Sequence, residues 1–488
     1  MKLTRFFSSS ASTSPLETDL VRLLGKDKCS FDLEDRTVYA YDAGEEEGAP
    51  PLTPPCAVVY PESAQDVCAV MAHAHEHGIP VIPRGAGSGL TGGAVPHMGG
   101  IILSLVRMNK ILELDTKNLC AVVETGVVTA DLQAAAAEAG LFYPPDPASQ
   151  DVSTMGGNIA ENSGGMRAAK YGVTKAYVLG LEVVLPDGRL VTLGSKCIKD
   201  VAGYSMTELF IGSEGTLGII TKAIVKLVTR PETVKTLAVC FDSIHGAGAV
   251  VPAVMKAGIV PCTLEFIDAT CLDAVRTVGL MGESESVVHE DTRAMLLMEV
   301  DGSAKDVERD AAAIEAICKD LGMLSLHRAE TDTDRENLWH IRRSIHGALG
   351  VLCEHWLEED ISVPPASIPD MLDELAKLAE KENLRIPCFG HYGDGNIHLS
   401  AAEADAPFTP ERAKTVKHAI FSKTVAMGGR IAAEHGIGTA KKEYLDLNLS
   451  TDTLDMAMQM KQMLDPKGIL NPGKVFPKAL WDRAYPTS

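Results

Sequence analysis

His391 and His398 flank the loop Tyr392-Gly393-Asp394-Gly395-Asn396-Ile397. Gly, Asp and Asn in this order favour a tight reversal with positive φ. A chain folded back about Asp394–Gly395 would make the two histidines cross-strand partners, with Cβ atoms roughly 4.5–5.5 Å apart. Imidazoles at that spacing can share one divalent ion. Downstream, Glu434-His435-Gly436-Ile437-Gly438 offers a carboxylate and a further imidazole. Two histidines and one glutamate around an open coordination position make a catalytic zinc pattern. Without the acidic partner, the same two histidines read as ordinary turn residues.

A second kind of chemistry is written in glycine. Pro83-Arg84-Gly85-Ala86-Gly87-Ser88-Gly89-Leu90-Thr91-Gly92-Gly93-Ala94 contains the dinucleotide-binding spacing Gly87-x-Gly89-x-x-Gly92. That fingerprint requires a helix directly after it. Pro96, Gly99, Gly100 and strand-like Ile101–Leu105 follow instead. The loop therefore reads as an anion nest of side-chain-free amides, or else as a flexible surface loop. Two more segments of the same texture follow. One runs from Pro144 through Ser149 and from Thr154 to Gly165, the other from Gly212 to Ile220. Three such loops suggest one large phosphate-bearing ligand wrapped by backbone amides.

These loops need elements to hold them. Residues 1–50 contain one short helical pattern, Leu16–Leu24, followed by an acidic, Gly-rich passage and the Pro-rich stretch Pro50–Pro55. Over 51–230, short apolar strands (Ala57–Tyr60, Val81–Ile82, Ile101–Leu105, Cys120–Glu124) alternate with helices such as Ser63–His77 and Thr129–Ala139, an α+β pattern. Over 231–450, the helices fall at His245–Lys256, Ser303–Leu321, Asp334–Leu352, Pro369–Glu382 and Pro410–Met427. The strands fall at Val234–Phe241, Cys262–Phe266 and Met295–Val300. Two β-α-β units in this order resemble a ferredoxin-like domain. The tail, 451–488, holds a helix near Thr453–Leu464 and then Asn471-Pro472-Gly473-Lys474.

Composition narrows the partners. The 488 residues suffice for two or three domains. A formal charge of −21 disfavours nucleic acid and anionic membrane surfaces. No apolar run approaches the roughly 18 residues of a membrane span. The 11 cysteines contain no Cys-x-x-Cys pair, which argues against a thiolate-held iron–sulfur cluster and for a reducing compartment. A cytoplasmic protein, at most peripheral at the inner membrane face, is expected. The basic, Ser-rich N-terminus leaves a mitochondrial presequence as the alternative.

Together, the three loops, His391…His398, Glu434-His435-Gly436 and the terminal Asn-Pro-Gly-Lys resemble the vanillyl-alcohol-oxidase-type flavoproteins, from about Ala57 to Pro477. Within them the chain is similar to the FAD-linked D-2-hydroxyacid dehydrogenases. The resemblance implies a bipartite FAD-binding domain of the p-cresol-methylhydroxylase (PCMH) type, a ferredoxin-like α+β cap for the substrate, and a tail that returns to the flavin. It implies non-covalent FAD held by Arg84, Gly85, Ala86, Gly87, Ser88, Gly89, Gly92 and Gly93. Pro145, Asp146, Ser149, Met155, Gly156, Gly157, Asn158, Ser163, Glu214, Ile219 and Asn471 would complete the cofactor site. His391, His398 and Glu434 match the family's ligands for zinc or a similar divalent metal. His435 matches its base, Asn396 a substrate contact and Arg342 the carboxylate-binding arginine.

Where the hydroxyglutarate-specific relatives carry a basic residue, this chain has Leu357-Glu358-Glu359-Asp360. Such a segment would repel a second carboxylate, so D-lactate or glycolate is favoured over D-2-hydroxyglutarate. His346 replaces a hydroxyl residue of those relatives. In the expected reaction the C2 hydride passes to the flavin and the hydroxyl proton to a histidine. Electrons then leave to an iron–sulfur subunit, an electron-transfer flavoprotein, a cytochrome or a quinone. A flavin-binding subunit without a substrate site, or a redox-neutral alkyl-glycerone-phosphate synthase chemistry, are the other readings.

Overall fold

A computed structural model describes residues 14–44, 53–353, 356–403 and 408–486. The basic N-terminal stretch, most of the acidic passage and the start of the Pro-rich linker lie outside them.

Helices form where the sequence supplies both a cap and an apolar face. Ser14 accepts from the N–H of Glu17 at 3.1 Å and starts α1 (Pro15–Leu24), which buries Leu16, Leu20 and Leu24. The first sheet is built on β1 (Ala57–Val59), β2 (Val81–Arg84) and β3 (Ile101–Ser104), with β1 and β2 both parallel to β3 and the two-residue strand Cys29–Ser30 antiparallel at the edge beside β1. The helix α2 (Ala64–His77), capped by Ser63, crosses from β1 to β2. Between β2 and β3 runs the glycine loop with no helix, so the dinucleotide-fold alternative is excluded.

A second sheet is wholly antiparallel. Its strands are β4 (Ile111–Asp115), β5 (Cys120–Glu124), β6 (Val178–Val184), β7 (Leu190–Gly194) and β8 (Ile219–Lys226), in the order β4-β5-β8-β6-β7. The short helix α3 (Met155–Glu161) sits under it and presents the second glycine loop.

The third sheet begins with β9 (Thr233–Phe241), β10 (Thr263–Asp268), β11 (Ala294–Gly302) and β12 (Ser325–Arg328). Their spatial order, β12-β9-β11-β10, is the ferredoxin-like arrangement expected from sequence. Three antiparallel strands extend it beyond β10: β13 (Leu357–Ser362), β14 (Cys388–His391) and β15 (Asn396–Glu403), in the order β14-β15-β13. The long helix α4 (Asp332–Leu352) packs beneath the sheet through Leu338, Ile341, Ile345 and Leu349.

The tail crosses back to the first sheet. Ile469 and Leu470 share a core with α1 and α2, and the N–H of Asn471 donates to Val81 O at 2.8 Å. Among the described residues no helix is long and apolar enough to cross a membrane.

Candidate active site

The three extension strands carry the titratable cluster. Cα pairing places His398 opposite Phe389, and His391 opposite Glu265 of β10. The two histidines are therefore diagonal neighbours, not the directly opposed pair expected from the turn. Diagonal side chains on a sheet remain within reach of one another. Their ring centroids stand 5.1 Å apart.

The Nε2 atoms of His391 and His398 are 3.4 Å apart. Glu434 Oε1 lies 3.4 Å from the first and 3.5 Å from the second. A tetrahedral ion with 2.0–2.1 Å bonds spaces its donors by roughly 3.3–3.4 Å, so this triangle fits one. The opposite ring nitrogens are held by carboxylates, Nδ1 of His391 by Glu265 at 2.6 Å and Nδ1 of His398 by Asp360 at 3.3 Å. A carboxylate behind each ring fixes which nitrogen faces the ion. Gly164 makes room for the third donor, since a Cβ there would sit 2.5 Å from Glu434 Oε2.

Electrostatics point the same way. Three buried or half-buried carboxylates, Glu265, Asp360 and Glu434, surround two imidazoles. That excess of negative charge suits a cation. Burial raises the Glu434 carboxyl, but His391 and His398 reverse this and hold it at about 2. Burial likewise opposes the charged form of Asp360, yet His435, His398 and Lys441 keep that carboxyl well below its usual range.

Asp360 also organises the loop that delivers Glu434. Its Oδ2 accepts the N–H groups of Ala433, Glu434 and His435 at 2.9, 2.8 and 3.1 Å. Its Oδ1 accepts from Asn396 Nδ2 at 2.6 Å. Asp360, His398, Glu434 and His435 also bring one ligand atom each within 4.8 Å of one another. Both Asp360 oxygens are already spent, however, which leaves His391, His398 and Glu434 as the better donors.

The glycine loops line an open cleft with about 1310 Å³ of empty space, the solvent at its mouth included. Its wall includes Arg84 through Gly89, Gly93, Ser149, Gly156, Gly157, Asn158, Ser163, Glu214 and Ile219, together with Glu434 and His435. Glycine is required where segments meet. A Cβ at Gly85 would lie 2.2 Å from Thr154 Oγ1, and one at Gly215 would lie 2.6 Å from Pro83. The remaining expected cofactor residues stand behind this wall. Gly92 O accepts from Lys474 Nζ at 2.7 Å, and Pro145 O from Gln133 Nε2 at 2.9 Å. Asp146 is buried against the backbone of Arg167, and Met155 lies in the core of the second sheet. Asn471 Nδ2 ties Gly93 O to Glu214 O at 3.0 and 2.8 Å.

His435 lines both the cleft and a second pocket, which also borders Glu358, Glu359, Lys417 and Lys441. Its ring stacks on His398 at 5.3 Å. Arg342 Nε donates to Glu265 at 2.7 Å, and its guanidinium lies 4.6 Å from the Phe389 ring centroid. Its outer nitrogens bond nothing else among the described residues. Asn396 gives both Nδ2 hydrogens to Asp360 and Ile361 O, so only Oδ1 remains for a ligand.

The acidic segment behaves differently from its sequence expectation. Asp360 points inward, as described. Glu359 pairs with Lys417 at 3.1 Å and Lys441 at 3.3 Å, and Glu358 faces His346 at 3.6 Å. Glu359 is matched by two lysines and Asp360 is held by His398, His435 and Lys441, so the segment is not the uncompensated repulsive field expected from its sequence. Glu265 and Asp360 escaped the motif reading, although a carboxylate inside the apolar run Thr263-Leu264-Glu265-Phe266-Ile267 was a signal that something buried must pair with it.

Known proteins can be set beside this geometry. Residues 230–475 match the C-terminal domain of FAD linked oxidases, and residues 55–194 match an FAD binding domain. The glycolate oxidase subunit GlcD of Bacillus subtilis is 42% identical over 96% of this chain and 97% of its own length. A D-lactate dehydrogenase of Anaerostipes hadrus is 35% identical over 86% of this chain and 89% of its own. A D-2-hydroxyglutarate dehydrogenase of Stutzerimonas stutzeri is 33% identical over 86% and 91%. Among solved structures, p-cresol methylhydroxylase superimposes with a TM-score of 0.75 at 18% identity, covering 94% of this chain and 96% of that one. An alkyldihydroxyacetonephosphate synthase gives 0.72 at 20% identity, covering 97% and 87%. These two likenesses are of fold.

Proposed function

Because the chain belongs to the family of FAD-linked oxidases, we propose that it oxidises a small 2-hydroxyacid to the 2-oxoacid, with D-lactate or glycolate as substrate. The observation that carries this reading is one of place: Glu434, which touches both His391 and His398, lines the glycine-lined cleft together with His435. A scaffold subunit without a substrate site would have no use for that set.

When bound in the cleft, FAD supplies the hydride acceptor. A divalent ion in the triangle would lower the pKa of the substrate hydroxyl. The chain's own residues do the rest. His435, next to the triangle but outside it, takes the hydroxyl proton. The outer nitrogens of Arg342 receive the substrate carboxylate as a planar fork, which fixes C2 relative to the cleft. Asn396 acts through Asp360 on the loop of Glu434 and His435. Glu265 serves both sites, since one oxygen orients His391 and the other orients Arg342.

The preference for a monocarboxylate rests on the second pocket. Its two lysines, Lys417 and Lys441, are already paired with Glu359. A distal carboxylate would have to break one of those pairs. The electrons leave to an external acceptor, and the subunit name carried by the Bacillus relative supports a partner protein in that role. Anaerobic mixing with single substrates tests the reading. D-lactate or glycolate is expected to bleach the flavin absorbance, and bleaching by D-2-hydroxyglutarate alone would refute the preference.

A further inference from the structure

We infer that Glu161 is a neutral carboxylic acid that donates a hydrogen bond into the cofactor cleft, held neutral by the ionised Glu214 beside it. The inference rests on the reading of the cleft as a flavin site.

Glu161 closes α3 and Glu214 lies on the third glycine loop, and both line the cleft. Two glycines show that the carboxyl groups share one small space. A Cβ on Gly436 would meet Glu161 Oε2 at 2.2 Å and Glu214 Cδ at 3.3 Å. A Cβ on Gly93 would meet Glu161 Oε1 at 3.3 Å and Glu214 Oε2 at 3.9 Å. Two buried carboxyl groups that share such a space oppose each other's ionisation.

Their surroundings decide which one holds the proton. Glu214 Oε1 accepts the N–H of Ile437 at 2.8 Å, and Oε2 accepts that of Gly438 at 2.7 Å. Burial pushes the Glu214 carboxyl up as well, but these two backbone donors and Lys474 pull it back toward the anion, and nothing comparable opposes burial at Glu161. Glu214 adopts φ +50°, an uncommon conformation for a non-glycine residue, which indicates that the fold maintains this contact at some conformational cost. Glu161 has no such donors. Its Oε2 is buried without a hydrogen-bond partner. The other charged groups facing the pair are Asp42, which adds negative charge, and Lys474, which lies on the Glu214 side. Burial, then Glu214, then Asp42 push the Glu161 carboxyl well above its usual range.

A neutral acid on the wall can do what a carboxylate cannot. Hydride transfer makes the flavin electron-rich, and an ionised glutamate would oppose that change. A protonated one stabilises it by donation, as buried carboxylic acids do in other electrophilic sites.

The test is the reduction potential of the FAD-loaded protein, with Glu161→Gln and Glu161→Ala as variants. Gln keeps a neutral donor, so its reduction equilibrium is expected within about twofold of wild type. Ala removes the donor and is expected to disfavour reduction by roughly tenfold, about 30 mV for two electrons. Glu161→Met, which also lacks a donor, replaces Ala if that variant loses its flavin. An increase in potential in either class would mean that Glu161 is an anion and would overturn the inference. So would an unchanged potential in Ala or Met, or an equal fall in Gln. A wild-type protein that binds no FAD would count instead against the flavin reading itself.

Discussion

His435 is the residue on which the proposed chemistry turns. It borders the cleft, the second pocket and the stacked ring of His398, and it stands beside the donor triangle. His435→Ala is expected to keep the flavin and lower turnover by about 10²–10⁴-fold, the usual weight of a general base. Turnover near wild type would remove it from that role. Glu265 tests the support of the triangle. Glu265→Gln is expected to weaken divalent-metal affinity by about 10–100-fold, as losses of such outer partners typically do, and titration with a metal indicator measures this. That His391, His398 and Glu434 come together was foreseeable because they lie in two short motifs whose chemistry is local. Glu265 and Asp360 were not. They come from other strands, and only the pairing of β10 with β14 and of β13 with β15 brings them behind the rings.

At the scale of elements, the glycine loops were readable because glycine and proline mark where a chain must turn. The missing helix after Gly92 correctly separated this cleft from a dinucleotide fold. The hairpin register was not readable, because turn residues set where a chain reverses but the neighbouring β10 sets which side chains oppose. Asp146 shows what the loops cost. Burial pushes its carboxyl up to about 7, even though it accepts from the N–H of Arg167 at 3.1 Å. An unfolded aspartate titrates near 3.9, so between about pH 4 and 7 the native state holds a proton that the unfolded chain releases. Stability from this group is full below pH 4 and declines as pH rises through 7, by at most about 4 kcal/mol. Asp146→Asn is expected to flatten that decline. Thermal unfolding of both proteins at pH 5 and pH 8 measures it, and parallel pH dependences would contradict the assignment.

At the scale of the molecule, the site exists only because distant parts of the chain converge. Loops from the first 220 residues form the cleft, the third sheet carries His391 and His398, a loop anchored on Asp360 brings Glu434 to them, and the tail locks the junction through Asn471 and Lys474. The α+β pattern and the ferredoxin-like unit were visible in the alternation of strands and helices, whereas the pairing of an FAD domain with a cap followed from the resemblance of the motifs. The hairpin about Asp394–Gly395 was expected from its turn residues, but its joining to β10 and to the strand Leu357–Ser362 was not, because pairing between distant segments leaves no local signature. The most direct test of the whole account is anaerobic flavin reduction by D-lactate or glycolate before and after removal of divalent metal by a chelator. Reduction is expected to fall by orders of magnitude on chelation and to return when zinc or a similar ion is restored. Undiminished bleaching by protein shown to be metal-free would contradict the joining of metal triangle and cleft into one active site.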